Sequence, residues 1–191
     1  SRYPNICKNI HLPAQSGSNR ILKLMNRTYT REWYLDRIKS IRTILGPDCG
    51  ISHDMIAGFC TENEADHQDT LSLMTHVKYD FGYMFAYSER PGTMAARKLK
   101  DDIPEAIKKR RLAEVVALQQ KHSKYRTELF LNKTVEVLVE KESKKSTSQW
   151  SGRSAQNTVA VFPKEDYKIG DFVMVKITKA YDYDLEGELV G

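Results

Sequence analysis

The change of hydrophobic period near Arg126 constrains this chain more than any other feature. Upstream, apolar residues recur at helical spacing or in short continuous runs. Downstream they follow a two-residue period that begins with Val135, Val137 and Val139 alternating against Glu136, Leu138 and Glu140. One layer of structure cannot serve both periods, so we expect an α/β part at residues 1–126 and a small all-β part at residues 127–191. Charge divides at the same place: the first part holds 21 Lys and Arg against 14 Asp and Glu, the second 9 against 11. A basic first part suits a polyanionic partner, although solvated surface lysines and arginines give the same count.

In the first part, the apolar run Ile6 to Leu12 reads as a strand that Pro13 stops, because proline has no N–H for a ladder. Gln15-Ser16-Gly17-Ser18-Asn19 follows as a polar turn with two serines able to cap a helix, and Ile21, Leu22, Leu24 and Met25 form the apolar side of that helix. In an α/β barrel the loop of such a unit lies where ligands bind, which makes Gln15, Ser16 and Ser18 candidates; an ordinary capping loop reads the same way. A second helix is expected over Glu32 to Leu45, ended by Gly46-Pro47. The run Ile51 to Phe59 reads as a buried parallel strand interrupted by Asp54, a carboxylate that is costly there unless it is paired or faces a ligand. Gly58 would let a ligand approach the backbone, and Glu62 precedes a helix at Glu64 to Val77, where its charge also suits the dipole. Phe81, Tyr83, Phe85 and Tyr87 alternate with Gly82, Met84 and Ala86 in a third strand. The loop Ser88 to Thr93 carries Arg90, which can grip a phosphate or carboxylate or simply face solvent. A last helix starts at Asp102-Ile103-Pro104, with Ile107, Leu112, Val115 and Leu118 as its apolar face and Lys108 to Arg111 as a solvated cluster.

After Val139, further strands are expected at Thr158 to Phe162, Phe172 to Thr178 and Leu185 to Val190, about five short strands in all, closing into an OB-like barrel. Between the first strand and Thr158, Lys141, Lys144, Lys145 and Arg153 offer charges for phosphates, and Trp150 offers a ring for a base. A solvated loop reads the same way, and the net negative charge of this part weighs against RNA.

With 191 residues and 40% hydrophobic content the chain can build one or two packed cores. No apolar run nears the roughly 20 residues of a membrane span, and SRYPNICKN lacks a secretory pattern, so the cytosol is the expected location. Cys7, Cys49 and Cys60 fit neither a disulfide framework nor a CxxC metal site and read as free thiols. The five histidines are scattered, so a barrel hydrolase or isomerase lacks an acid/base constellation and no catalytic residue is assigned.

The segments HLPAQSGSNRILKLMNRTYTREWY, ISHDMIAGFCTENEADH and YMFAYSERPGTMAA resemble successive parts of the radical S-adenosylmethionine methylthiotransferases. EVLVEKESKKS, GRSAQNTVAVF and GDFVMVKITKA are similar to the TRAM domain of those enzymes, which is associated with tRNA binding. HLPAQSGS and YSERPGT favour the tRNA-modifying branch over the branch that acts on a ribosomal protein. Phe59-Cys60-Thr61 departs from the Phe-Pro-Gly of many relatives.

The resemblance implies the later half of a (βα) barrel followed by a TRAM barrel, and 2-methylthiolation of N6-isopentenyladenosine beside the tRNA anticodon. It implies S-adenosylmethionine as methyl donor and radical source, two 4Fe-4S clusters, a sulfur donor, an electron donor and the tRNA anticodon stem-loop as partners, with a monomer expected. Neither the CxxxCxxC motif nor the three further cluster cysteines occur here, so the chain is expected to be a fragment, inactive alone. By the same resemblance Gln15, Ser16, Asp54, Gly58 and Glu62, with Arg20 and Arg90, belong to the rim that receives S-adenosylmethionine. Two alternatives stay open: a non-catalytic RNA-binding module, and the related methylthiotransferase that acts on threonylcarbamoyladenosine.

Overall fold

The computed structural model describes residues 5–144 and 146–190. Strands β1 (Asn9–His11), β2 (Gly50–Ala57) and β3 (Phe81–Ala86) form a parallel sheet in that order. Helices α1 (Asn19–Leu24) and α2 (Arg31–Leu45) connect β1 to β2, and α3 (Glu64–Val77) connects β2 to β3. Parallel pairing demands such crossovers. Each helix begins where its sequence supplies a cap: Ser18 for α1, Thr30 for α2, and for α3 a capping box in which Asn63 and Asp66 satisfy each other's backbone N–H groups. Gly46, at φ +99°, ends α2 in a conformation that side chains resist.

Side chains alternate across β2. Ile51, His53, Met55 and Ala57 are buried, and Ile51 and Met55 pack with Leu73, Met74 and Val77 of α3 and with Tyr34 of α2. Burial of each large side chain of this set contributes about 1.5–3 kcal/mol. Ser52, Asp54 and Ile56 lie on the opposite face, in register with Phe81, Tyr83 and Phe85 of β3. Among the described residues no crossover helix covers that second face, and the three β3 rings are exposed.

After a short helix α4 (Met94–Lys98), α5 (Glu105–Glu128) runs back along the sheet. Its buried stripe is not the expected apolar face. Ile107, Leu112 and Leu118 are half-buried, whereas Lys108, Arg111, Val115, Gln119, His122, Ser123 and Arg126 are buried. The expected solvated cluster is therefore split: Lys108 and Arg111, three apart on one face, turn inward because acids await them. Lys108 Nζ bonds Asp101 at 2.6 Å and Glu105 at 3.2 Å, and Arg111 Nη1 bonds Glu62 Oε1 at 3.0 Å. Buried charges survive only when paired in this way.

Strands β4 (Thr134–Ser143), β5 (Ser146–Ser154), β6 (Val159–Pro163), β7 (Phe172–Ala180) and β8 (Asp184–Leu189) close into a barrel in the order β4-β5-β6-β8-β7. All pairs are antiparallel except β6 with β8. Val137, Val139, Phe162, Val175, Ile177 and Leu185 fill the interior. Two boundaries differ from the sequence reading. The first strand spans only Asn9–His11, and the segment read as a loop around Trp150 is strand β5, hairpinned to β4.

Sheet and barrel touch without a linker. Thr127 Oγ1 donates to the Tyr181 carbonyl at 2.6 Å, Gln156 Nε2 donates to Asp48 at 2.7 Å, and a Cβ on Gly50 would stand 2.5 Å from the Gln156 carbonyl oxygen. Among the described residues no helix is long and apolar enough to cross a membrane.

Candidate functional site

At the C-terminal ends of β2 and β3 lies a cavity of about 580 Å³, lined by Gln15, Asp54, Ile56, Phe59, Phe85 and Arg90 among others. Open α/β sheets bind ligands at this end of their strands. Gln15 reaches the cavity through an unusual backbone: φ is +64°, while its N–H donates to the Asp54 carbonyl and its own carbonyl accepts from Ile56 N–H. A non-glycine residue in the left-handed region costs on the order of 1 kcal/mol, and the two β2 bonds hold it there. Asp54, half-buried on the helix-free face, has His11 Nε2 at 3.4 Å from Oδ1. His11 Nδ1 in turn meets Ser52 Oγ at 2.9 Å. Arg90 is exposed on the loop after β3.

The structure thus brings Gln15, Asp54 and Arg90 together and turns the other four expected rim residues elsewhere. Ser16 is buried; its hydroxyl accepts from Ser18 N–H at 3.1 Å and meets Thr70 Oγ1 at 3.3 Å. Arg20 pairs with Asp66 and donates to Thr61 Oγ1 at 3.0 Å and to the Thr61 carbonyl at 2.7 Å. Gly58, at φ +73°, is small for a neighbouring side chain rather than for a ligand, since an added Cβ would lie 2.5 Å from Lys108 Cγ. Glu62 is buried, accepts from Gly58 N–H at 2.9 Å and pairs with Arg111. Burial pushes its carboxyl upward against the pull of that N–H and of Arg111. Glu62 and Arg20 therefore hold the loop after β2 in shape. Sequence reasoning missed Met25, Arg27, Tyr87 and Ser88 on the cavity wall, because their neighbours come from distant segments.

The donor set fits S-adenosylmethionine. Its sulfonium and amino groups are cations that the Asp54 carboxylate suits, its carboxylate suits Arg90, and the apolar wall of Ile56, Phe59 and Phe85 can cover an adenine ring. The cysteines do not fit an iron–sulfur cluster. Cys49 is buried, its thiol is pushed up by that burial and it donates to the Gly50 carbonyl at 3.7 Å. Cys60 is buried against Ile21 and Phe59, and Cys7 is exposed. Cluster ligation needs converging thiolates.

On the barrel, Lys141 and Lys144 are exposed, on β4 and at the β4–β5 turn, and Arg153 is exposed on β5; Lys145 lies outside the described residues. Trp150 corrects the sequence reading. Only 7% exposed, it packs in the barrel core with Phe162 and Val139, and Lys164 Nζ sits 4.7 Å from its ring centroid. A base has no open face of this ring to stack upon.

Comparisons with known proteins bear on both parts of the chain. Residues 128–190 match the TRAM domain family model. The chain is 64% identical over 191 residues to the tRNA-2-methylthio-N(6)-dimethylallyladenosine synthase of Flavobacterium johnsoniae, covering all of this chain and 40% of that protein. It is 65% identical over 189 residues to the synthase of the same name from Christiangramia forsetii, covering 99% of this chain and 39% of that protein. Its fold is similar to that of the Escherichia coli coproporphyrinogen III oxidase HemN, described as a radical SAM enzyme, with a TM-score of 0.51 and 14% identity over 78% of this chain and 41% of that one. The chain thus spans about 40% of the length of those curated relatives, is similar to them from end to end, and carries its match to the TRAM domain at residues 128–190.

Proposed function

We propose that this chain is the part of a tRNA methylthiotransferase that forms the cofactor rim and the RNA-holding barrel, in an enzyme that adds a methylthio group to C2 of N6-isopentenyladenosine next to the anticodon. The observation that carries the proposal is the convergence of Gln15, Asp54 and Arg90 on one cavity at the strand ends, in a chain 64% identical throughout to a synthase of that name. The parallel sheet, with one face bare of helices, supports a reading of residues 1–126 as the later half of a (βα) barrel, and the closed barrel supports residues 127–191 as the RNA-binding unit. S-adenosylmethionine supplies the methyl group and the radical when bound. Asp54 holds its cationic end, Arg90 its carboxylate, and Gln15 fixes the rim on which both stand.

Two 4Fe-4S clusters would be held by cysteines of the longer protein, which acts in the cytoplasm as a monomer with a sulfur donor and an electron donor. Exposed Lys141, Lys144 and Arg153, with Lys145, would meet phosphates of the tRNA anticodon stem-loop. Calorimetric titration of the full-length enzyme with S-adenosylmethionine tests the reading. Asp54→Ala is expected to weaken binding about tenfold or more, the effect of ~1.4 kcal/mol, with thermal stability unchanged. Unaltered affinity would return Asp54 to a structural role and undo the assignment of the cavity.

A further inference from the structure

Short as β1 is, its register with β2 sets a chain of polar side chains on the second face of the sheet. His11 is the register partner of Ser52, and Asp54 is the partner of Tyr83 on β3. Because strand side chains alternate, Ser52 and Asp54 project to one face two residues apart, and His11 lies beside them. Its ring links the two: Nδ1 stands 2.9 Å from Ser52 Oγ, and Nε2 stands 3.4 Å from Asp54 Oδ1. The Tyr83 ring, edge-on at 6.2 Å and 75°, bounds the imidazole on the β3 side.

The chemistry of these groups orders their hydrogens. An ionised carboxylate only accepts, so attraction between His11 and Asp54 requires the proton on Nε2. In the neutral imidazole Nδ1 is then bare, and the Ser52 hydroxyl donates to it. Ser52 thereby selects the tautomer that turns an N–H toward Asp54. At 3.4 Å this contact is longer than a good hydrogen bond, so it steers the carboxylate rather than locking it. Among the described residues no other hydrogen bond or ion pair is made by the Asp54 carboxylate. Its backbone is held from the same segment, with Gln15 N–H donating to the Asp54 carbonyl at 2.9 Å. Residues 11–15 thus hold Asp54 twice, once by main chain and once by side chain. His11 itself is not on the wall of the strand-end cavity, whereas Asp54 is.

We propose that His11 is a positioning residue for the Asp54 carboxylate, aiming it at the cationic end of S-adenosylmethionine, with Ser52 fixing the His11 tautomer. A ligand-binding side chain needs such outside support to be held in its productive direction. The inference deepens the reading of the strand-end cavity given above and rests on it. It does not depend on what lies over this face of the sheet, since strands of the longer protein packed there would exclude water from the pair and strengthen it. With His11 and Asp54 side chains 42% and 29% exposed, the pair adds little to stability by itself.

The test is calorimetric titration of the full-length enzyme with S-adenosylmethionine, with thermal melts run alongside. His11→Ala is expected to weaken binding about 3- to 10-fold and to leave the melting temperature unchanged. In an Asp54→Ala background the same change is expected to cost nothing further, a result that a merely structural role for His11 would not give. His11→Gln, whose amide can place an N–H near the Nε2 position, should recover most of the affinity. Ser52→Ala should lose part of it, and full affinity there would overturn the tautomer assignment. If His11→Ala leaves binding unchanged while Asp54→Ala weakens it, the positioning role is overturned and the cavity reading stands. Equal losses from His11→Ala in both backgrounds, or a His11→Gln that binds as weakly as His11→Ala, overturn the role as well. If Asp54→Ala itself keeps full affinity, the cavity reading falls and the role of His11 with it.

Discussion

Arg126, near the end of α5, donates from Nε to Asp80 Oδ1 at 2.8 Å, and its remaining nitrogens are also engaged, Nη1 with the Pro47 carbonyl at 3.1 Å and Nη2 with the Cys49 carbonyl at 3.0 Å. Asp80 Oδ2 accepts from Ile51 N–H at 2.8 Å. The residue at which the sequence pattern changes is thus a buried clamp that fastens α5 to the loops before β2 and β3. Burial pushes the Asp80 carboxyl up, against the pull of Arg126. Arg126→Ala leaves that acid buried and unpaired, which is expected to cost about 3–5 kcal/mol. Urea denaturation of the variant at neutral pH measures it, and a loss below ~1 kcal/mol would mean that water replaces the guanidinium.

His122, buried on α5, has its pKa lowered to about 4 by burial first and then by Lys78 and Lys121. The unfolded chain binds a proton near the ordinary value of about 6.5, so the group contributes stability above that pH. This contribution is expected to fall away as pH drops from about 6.5 to about 4 and to stay flat below. His53, also lowered by burial, adds to the same slope. In thermal melts across that window His122→Leu should show a shallower decline than the parent; an identical decline would assign the whole slope to other groups.

Gly58→Ala meets two obstacles, a φ of +73° and Lys108 Cγ at 2.5 Å. The backbone alone costs about 1–2 kcal/mol. Because Gly58 N–H is also the donor to Glu62, the loop bearing Phe59 on the cavity wall should shift. A lowered melting temperature together with weaker S-adenosylmethionine binding is expected; retained binding would separate this loop from the cofactor.

Lys141 and Lys144, exposed around the β4–β5 turn, test the barrel as an RNA grip. Replacing both with alanine should flatten the log–log salt dependence of tRNA binding by roughly one unit for each phosphate no longer neutralised. Trp150→Ala should behave differently: as a core residue it is expected to destabilise the barrel by about 3–5 kcal/mol. Chemical denaturation distinguishes the two, since the lysine pair should leave stability intact.

Periodicity made most elements legible, including the parallel strands β2 and β3 and the change to a barrel. β5 escaped because its sequence, STSQWSGRS, has no apolar alternation; apart from Trp150 its buried positions, Ser151, Gly152 and Ser154, are small, and a Cβ on Gly152 would stand 2.1 Å from the Leu138 carbonyl oxygen. A tightly approached strand selects for size rather than hydrophobicity. α5 misled for the opposite reason, with ions on the buried stripe whose partners lie far away in sequence, such as Glu62 for Arg111. Of the cavity wall, Gln15, Asp54 and Arg90 were legible as residues at or near strand ends. Glu62 and Arg20 were not, because loop-shaping and ligand-binding carboxylates or arginines look alike until their partners are seen. Thr61 adopts φ +64°, a backbone conformation that favours glycine, with its N–H donating to Asp102 at 2.7 Å.

α5 is anchored at both ends. Near its start Lys108 and Arg111 support Gly58 and Glu62 behind the strand-end cavity, and at its end Arg126 clasps the loops before β2 and β3 while Thr127 bonds the barrel at the Tyr181 carbonyl. Twenty-four residues make a rod of about 36 Å. The helix is then a gauge that fixes how far the barrel stands from the cavity at the strand ends. Adding or removing one residue would slide the barrel by about 1.5 Å and swing it by about 100°, so the spacing of barrel and cavity is written in the length of this helix.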